Sequence, residues 1–154
     1  MKKMLTYLVP VAIIVLAVGF LIWFQPAAKT VLSIHTAEHT YNLLVDVVRT
    51  PKEREQGLMG RSALPEDEGM LFIYETASTS AFWMKDMNFP LDLVFIGSDK
   101  SVVEMMGKVP PCQTADEFCT RYKPNHPSRY VLELAGGFVE KYGIQPGDTV
   151  SWEE

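Results

Sequence analysis

The sequence predicts a mainly β domain, a compact antiparallel sandwich or barrel with one or two short helices, preceded by a single N-terminal transmembrane helix. Three observations carry this expectation. Leu5 to Phe24 is an uncharged apolar run behind Lys2 and Lys3, long enough as a helix to cross roughly 30 Å of hydrocarbon. The remaining length, about 125 residues, suits one domain with one core. Within it, short apolar runs alternate with turn signals at close spacing, the pattern of an all-β fold.

The chain thus divides into a signal-anchor segment, residues 1–28, and an extracytoplasmic β domain, residues 29–154. Lysines before the apolar run and the domain after it predict a single-pass protein of the cytoplasmic membrane, N-terminus inside, C-terminal domain outside. A cleaved signal peptide is the rival. Its apolar core would be shorter, about 7–15 residues, and cleavage after Ala28 would put Pro26 at the −3 position. The domain carries every acid but not Lys2 or Lys3, so 19 acidic side chains face 12 basic ones. That balance gives no electrostatic reason to seek nucleic acid.

Thr30–Thr36 and Thr40–Val48 read as two strands joined through Ala37-Glu38-His39. In the second, Tyr41, Leu43, Val45 and Val47 alternate with Asn42, Leu44, Asp46 and Val48 at a period of two. Thr50-Pro51-Lys52-Glu53 is a capping box with proline at the first helical position, and Gly57 stops the short helix it opens. Pro65–Gly69 is an acidic surface turn. Met70–Tyr74, Ala81–Met84, Leu91–Ile96 and Val102–Lys108 are strand-like, with Ser98–Ser101 turning between the last two. Tyr130–Leu134 is another strand, Gly137–Tyr142 a short helix ending at Gly143, and Thr149–Trp152 the final strand after Pro146-Gly147-Asp148.

Cys112 and Cys119 lie in the Pro-bounded loop Pro110–Pro127. In an oxidising compartment an isolated pair at this spacing is expected to close a disulfide loop. A redox pair would be Cys-x-x-Cys, and zinc needs two further ligands that no nearby spacing supplies. Met84 and Met87 match a Cu(I)-type Met-x-x-Met once, but His35, His39 and His126 are dispersed, so neither a metal nor any other cofactor is expected. No nucleophile elbow, Ser-His-Asp set or phosphate loop is present.

Several motifs then occur in order: Thr50-Pro51-x-Glu53-Arg54-x-x-Gly57-Leu58-Met59-x-Arg61, Gly69-Met70-Leu71-Phe72, Phe82-Trp83-Met84-Lys85, Pro90-Leu91-Asp92-Leu93-Val94-Phe95, Tyr130–Gly137 and Gly147-Asp148. This series, spanning about Val45 to Val150, resembles the domain-of-unknown-function 192 family, small prokaryotic proteins often preceded by a signal or anchor. The resemblance implies a compact, mainly β domain and brings no activity with it. One departure is that Asp86 and Met87 follow Lys85 where the family usually has Asn and Thr, which sets a negative charge beside Lys85.

The polar members of these apolar motifs are the candidate ligand-binding residues: Arg61, Trp83, Lys85, Asp92 and Glu133. On a strand Trp83 and Lys85 would share a face, an indole for stacking beside an ammonium for an anion. A tight connection through Asn88-Phe89-Pro90 would bring Asp92 toward that face, where Lys85 or Arg61 would hold it ionised. The structural alternative pairs Asp92 with Arg61 or Arg54, or has it accept backbone N–H groups. Glu133, set between Leu132 and Leu134, poses the same question. The expected function is a membrane-anchored binding module for a small ligand, a glycan or an envelope protein. The alternative is a hydrolase of an envelope polymer with Asp92 and Glu133 as acid and base.

Overall fold

The computed structural model describes residues 28–153, so the apolar segment Leu5–Phe24 and its orientation lie outside the described residues. Among the described residues no helix is long and apolar enough to cross a membrane. The chain forms β1 (Ala28–His35), β2 (Thr40–Val48), α1 (Pro51–Gln56), β3 (Glu68–Ser78), β4 (Leu91–Ile96), β5 (Val102–Val109), β6 (Ser128–Ala135), α2 (Phe138–Tyr142) and β7 (Thr149–Trp152). The strands make one sheet in the order β5-β4-β6-β3-β2-β1-β7. It curls into a half-barrel whose two edge strands meet at one end, where Ser101 bridges Thr149 and Val102 N–H donates to the Asp148 carbonyl at 2.7 Å. A two-sheet sandwich is therefore not what forms.

The sheet is mixed rather than antiparallel throughout. β1 and β2 form the expected hairpin, closed by Thr36 N–H to the His39 carbonyl at 2.9 Å. β2 and β3, however, run parallel, Leu44 beside Glu68 through Val48 beside Phe72. The reason is the long connection through α1, which carries the chain back to the starting end of the sheet; parallel neighbours need such a crossover. α1 begins as the capping box prescribes: Thr50 Oγ1 accepts from Glu53 N–H at 3.2 Å, and the Glu53 carboxylate accepts from Thr50 N–H at 2.8 Å. Gly57 ends it at φ +45°, a left-handed conformation that favours glycine.

Residues Ala81–Met84 are not a strand. Phe82 makes one isolated bridge to Tyr122, with N–H to carbonyl distances of 2.8 Å in both directions. The alternation survives without the ladder: Phe82 and Met84 are buried while Trp83 and Lys85 are half-exposed. The segment lies across one face of the sheet and takes its backbone partners from the Pro110–Pro127 loop, as Cys112 N–H to the Met84 carbonyl at 2.8 Å shows. Cys112 and Cys119 in that loop are joined as a disulfide.

Period-two alternation gives the sheet two apolar faces and so two core clusters. The inner one packs Leu32, Val45, Leu71, Val94, Leu132 and Leu134 against Phe138 of α2 and Trp152 of β7. The outer one packs Met70, Phe72, Leu93, Phe95 and Val131 under Leu58, Phe82, Met84 and Met87. One cluster per face, rather than one for the domain, is why the loop segments on the outer face are themselves apolar.

Candidate functional site

β6 is central, paired to β4 on one side and β3 on the other, so its side chains are the most deeply placed in the sheet. Glu133 sits in mid-strand opposite Leu93 of β4 and Met70 of β3, and Met70 in turn lies opposite Asp46 of β2. All four point to the outer face, forming a row in which two carboxylates interrupt an apolar surface. Asp46 is taken up by Arg61, whose Nη2 lies 2.7 Å from Oδ2, with Lys29 Nζ at 3.9 Å from Oδ1. The Arg61 loop is fixed by Gly60 N–H to the Asp86 carbonyl at 3.0 Å and by Asn88 Nδ2 to the Arg61 carbonyl at 2.8 Å.

Glu133 is different. It is 6% exposed and, among the described residues, its carboxyl makes no hydrogen bond. Burial pushes its pKa up to about 8, against the opposing pull of the Arg61 charge, so near neutral pH the group is largely a neutral acid with a proton to donate. It lines a crevice of about 30 Å³, together with Arg54, Gly57, Met59, Phe72, Trp83 and Leu91 among others. That volume holds a water molecule or the tip of a ligand. Sequence reasoning could attach a perturbed carboxyl to Glu133 but not its neutral state, which depends on how deeply the neighbouring strands bury it.

Trp83 forms part of the crevice wall and is held from outside by two cations: Arg121 of the Pro110–Pro127 loop, its Cζ 3.8 Å from the ring centroid, and Lys85, its Nζ at 5.3 Å. Lys85 itself pairs with Asp116 at 2.9 Å, a bond that raises its pKa, and does not line the crevice. Arg54 is also engaged, donating to the Arg49 carbonyl, with its guanidinium 4.8 Å from the Tyr74 centroid.

Asp92 stands apart. It pairs in register with Leu134, not Glu133, and so faces the inner side of the sheet. There it is fully buried and accepts three backbone N–H groups: Lys108 at 2.6 Å and Gly137 at 2.9 Å on Oδ1, and Val139 at 2.7 Å on Oδ2. Of the two structural readings, backbone satisfaction holds, and neither Arg61 nor Arg54 is its partner. A carboxylate so bound ties β4 to the end of β5 and to the start of α2, where the helix dipole favours it. The structure brings Arg61, Trp83 and Glu133 to one face, leaves Lys85 at its margin, and sets Asp92 on the other side. Sequence reasoning missed Asp46 and Arg121. Asp46 had a signal, because Val48 shares its strand face and marks that face as buried.

A largely buried carboxyl without a hydrogen-bond partner among the described residues, opening into an aromatic-walled crevice on a central strand, defines a candidate binding site on a mainly β half-barrel. The chain belongs to the DUF192 family, an uncharacterised ACR, whose model matches residues 31–152. Among solved structures it is similar to a protein from Sinorhizobium meliloti 1021 described as a candidate transcription regulator. That likeness has 33% identity and a TM-score of 0.77, and covers 84% of this chain and 97% of that one. It is also similar to a protein of unknown function from Novosphingobium aromaticivorans DSM 12444. There the identity is 29% and the TM-score 0.75, with 84% and 94% of the two chains covered. A comparison with curated proteins finds no match.

Proposed function

We propose that this chain is a membrane-anchored, extracytoplasmic binding domain, and that its ligand presents a neutral hydrogen-bond acceptor, a carbonyl or ether oxygen, to protonated Glu133. The supporting observation is the Glu133 carboxyl itself, buried beside a crevice with no hydrogen-bond partner among the described residues. Its oxygens reach the crevice rather than being sealed in the core, so a ligand acceptor can meet the O–H that burial keeps in place. Trp83 supplies an apolar wall against which the rest of a small ligand or glycan unit packs. The same site would serve an envelope protein presenting such a group on a side chain.

Nothing in the geometry favours the hydrolase alternative, because its two carboxylates, Asp92 and Glu133, face opposite sides of the sheet. Nor does the S. meliloti description transfer readily, since 19 acids against 12 bases beyond the anchor give no attraction to DNA. The extracytoplasmic placement rests on the Lys2, Lys3 and Leu5–Phe24 pattern, and the Cys112–Cys119 disulfide fits an oxidising compartment.

The binding test uses detergent-solubilised full-length chain and ligand-observed NMR with a panel of neutral amide and ether fragments. Fragments should bind at neutral pH, weaken above about pH 9 where Glu133 has lost its proton, and fail to bind Glu133→Leu. Equal binding by wild type and Glu133→Leu would contradict the proposal. For the placement, a reporter active only outside the cytoplasm, fused after Glu154, should be active. An inactive fusion sinks that part alone, and a mature N-terminus near Lys29 would replace the anchor by a cleaved signal.

A further inference from the structure

A second cavity, about 450 Å³, shares no residue with the Glu133 crevice. It is lined by Thr40, Tyr41, Asn42 and Leu43 of β2, by Glu66 and Asp67, and by Phe138 and Tyr142 of α2. Its size falls in the range of ligand sites. What distinguishes it is the strand backbone at its wall.

β2 pairs with β3 only from Leu44 onward, because Glu68 N–H to the Pro65 carbonyl, 3.1 Å, closes a turn that leads the preceding chain away. Leu44 N–H donates to the Asp67 carbonyl at 2.9 Å, so it points away from β1. Backbone groups two residues back in an antiparallel ladder point the same way. Asn42 and Thr40 therefore present N–H and C=O toward the cavity side, with no strand partner there among the described residues. Their side chains confirm the phase. Ser33 Oγ meets Asn42 Oδ1 at 2.7 Å and His35 Nδ1 meets Thr40 Oγ1 at 3.1 Å, contacts typical of the close, non-hydrogen-bonded pairs of the β1–β2 ladder.

We infer that this cavity binds an extended peptide, which adds to the open edge of β2 at Thr40–Leu43 and places a basic side chain against Asp67. Open edge backbone supplies main-chain hydrogen bonds, and neighbouring pockets supply selectivity. Glu66 is already occupied by Lys141 and by Tyr142 Oη, the latter at 2.8 Å. The Asp67 carboxylate has no side-chain partner among the described residues and is the acid left for a ligand cation. The rings argue for a peptide over a saccharide. Phe138 is buried, and Tyr41 and Tyr142 meet each other at 4.8 Å and 57°, so they form a notch for a side chain rather than a flat stacking platform.

The test titrates isotope-labelled full-length chain in detergent with acetyl-Val-Lys-Val-amide, acetyl-Val-Glu-Val-amide and a neutral N-acetylglucosamine trisaccharide. The lysine peptide should shift the Thr40 and Asn42 amides and bind about tenfold more tightly than the glutamate peptide. Asn42→Pro removes an N–H that the β1 ladder does not use, and should abolish binding. Asp67→Lys, at an exposed turn, should reverse the charge preference, and it decides the matter should Asn42→Pro fail to fold. An Asn42 amide unmoved by either peptide, a response to the trisaccharide alone, or an unchanged preference in Asp67→Lys would overturn the inference.

Discussion

Asp92 and Glu133 lie on adjacent strands one residue out of register, Asp92 beside Leu134 and Leu93 beside Glu133, and so they face opposite sides of one sheet. The two acids that look alike in the sequence therefore do different things. Asp92 is a hub of backbone hydrogen bonds on the inner face, and Glu133 is a neutral acid at the edge of an outer crevice.

Replacing Asp92 by Asn should destabilise the domain. An amide nitrogen would face at least one of the three N–H donors, leaving two donors opposed, at about 1–3 kcal/mol for the lost partner. Chemical denaturation measures this directly. Wild-type stability in Asp92→Asn would show that the three bonds do not hold β5 and α2 in place.

Glu133 should make the protein less stable as pH rises. Its folded pKa is about 8 against an ordinary 4.5, so between those values the folded state keeps a proton that the unfolded state has released. Stability contributed by this group is then full below about pH 4.5 and falls until about pH 8, by several kcal/mol in all. Glu133→Gln should remove that slope. Parallel thermal melts across this window that fall equally in wild type and variant would contradict it.

The disulfide closes a short loop that carries Asp116, the partner of Lys85, and ends two residues before Arg121, which stacks on Trp83. Reduction should lower stability by about 2–3 kcal/mol on the chain-entropy account. It should also loosen the crevice wall at Trp83. Alkylation of untreated protein that labels either cysteine would show that the bond is not there.

Local chemistry made much of this legible. The capping box is read residue by residue, since Thr50, Glu53 and Gly57 act only on their neighbours. The bounds of β2 and β7 follow from alternation and turn residues in the same way, and those of β4 from an apolar run set between Pro90 and the Ser98–Ser101 turn. What the sequence hides is set by distant partners. The parallel β2–β3 pair depends on where a crossover returns, and the Ala81–Met84 run shows strand periodicity although it pairs with a loop. The opposed faces of Asp92 and Glu133 depend on the β4–β6 register, which neither strand encodes alone. Arg61 was legible as a cation for a buried acid, but Asp46, not Asp92, is the acid that receives it.

The most direct measurement is an NMR titration of the Glu133 side-chain carboxyl in the folded full-length chain, assigned by its loss in Glu133→Gln. A midpoint near 8 would establish the buried neutral acid on which the binding site rests. A midpoint near the ordinary 4.5 would show a solvated or paired carboxylate and contradict the account.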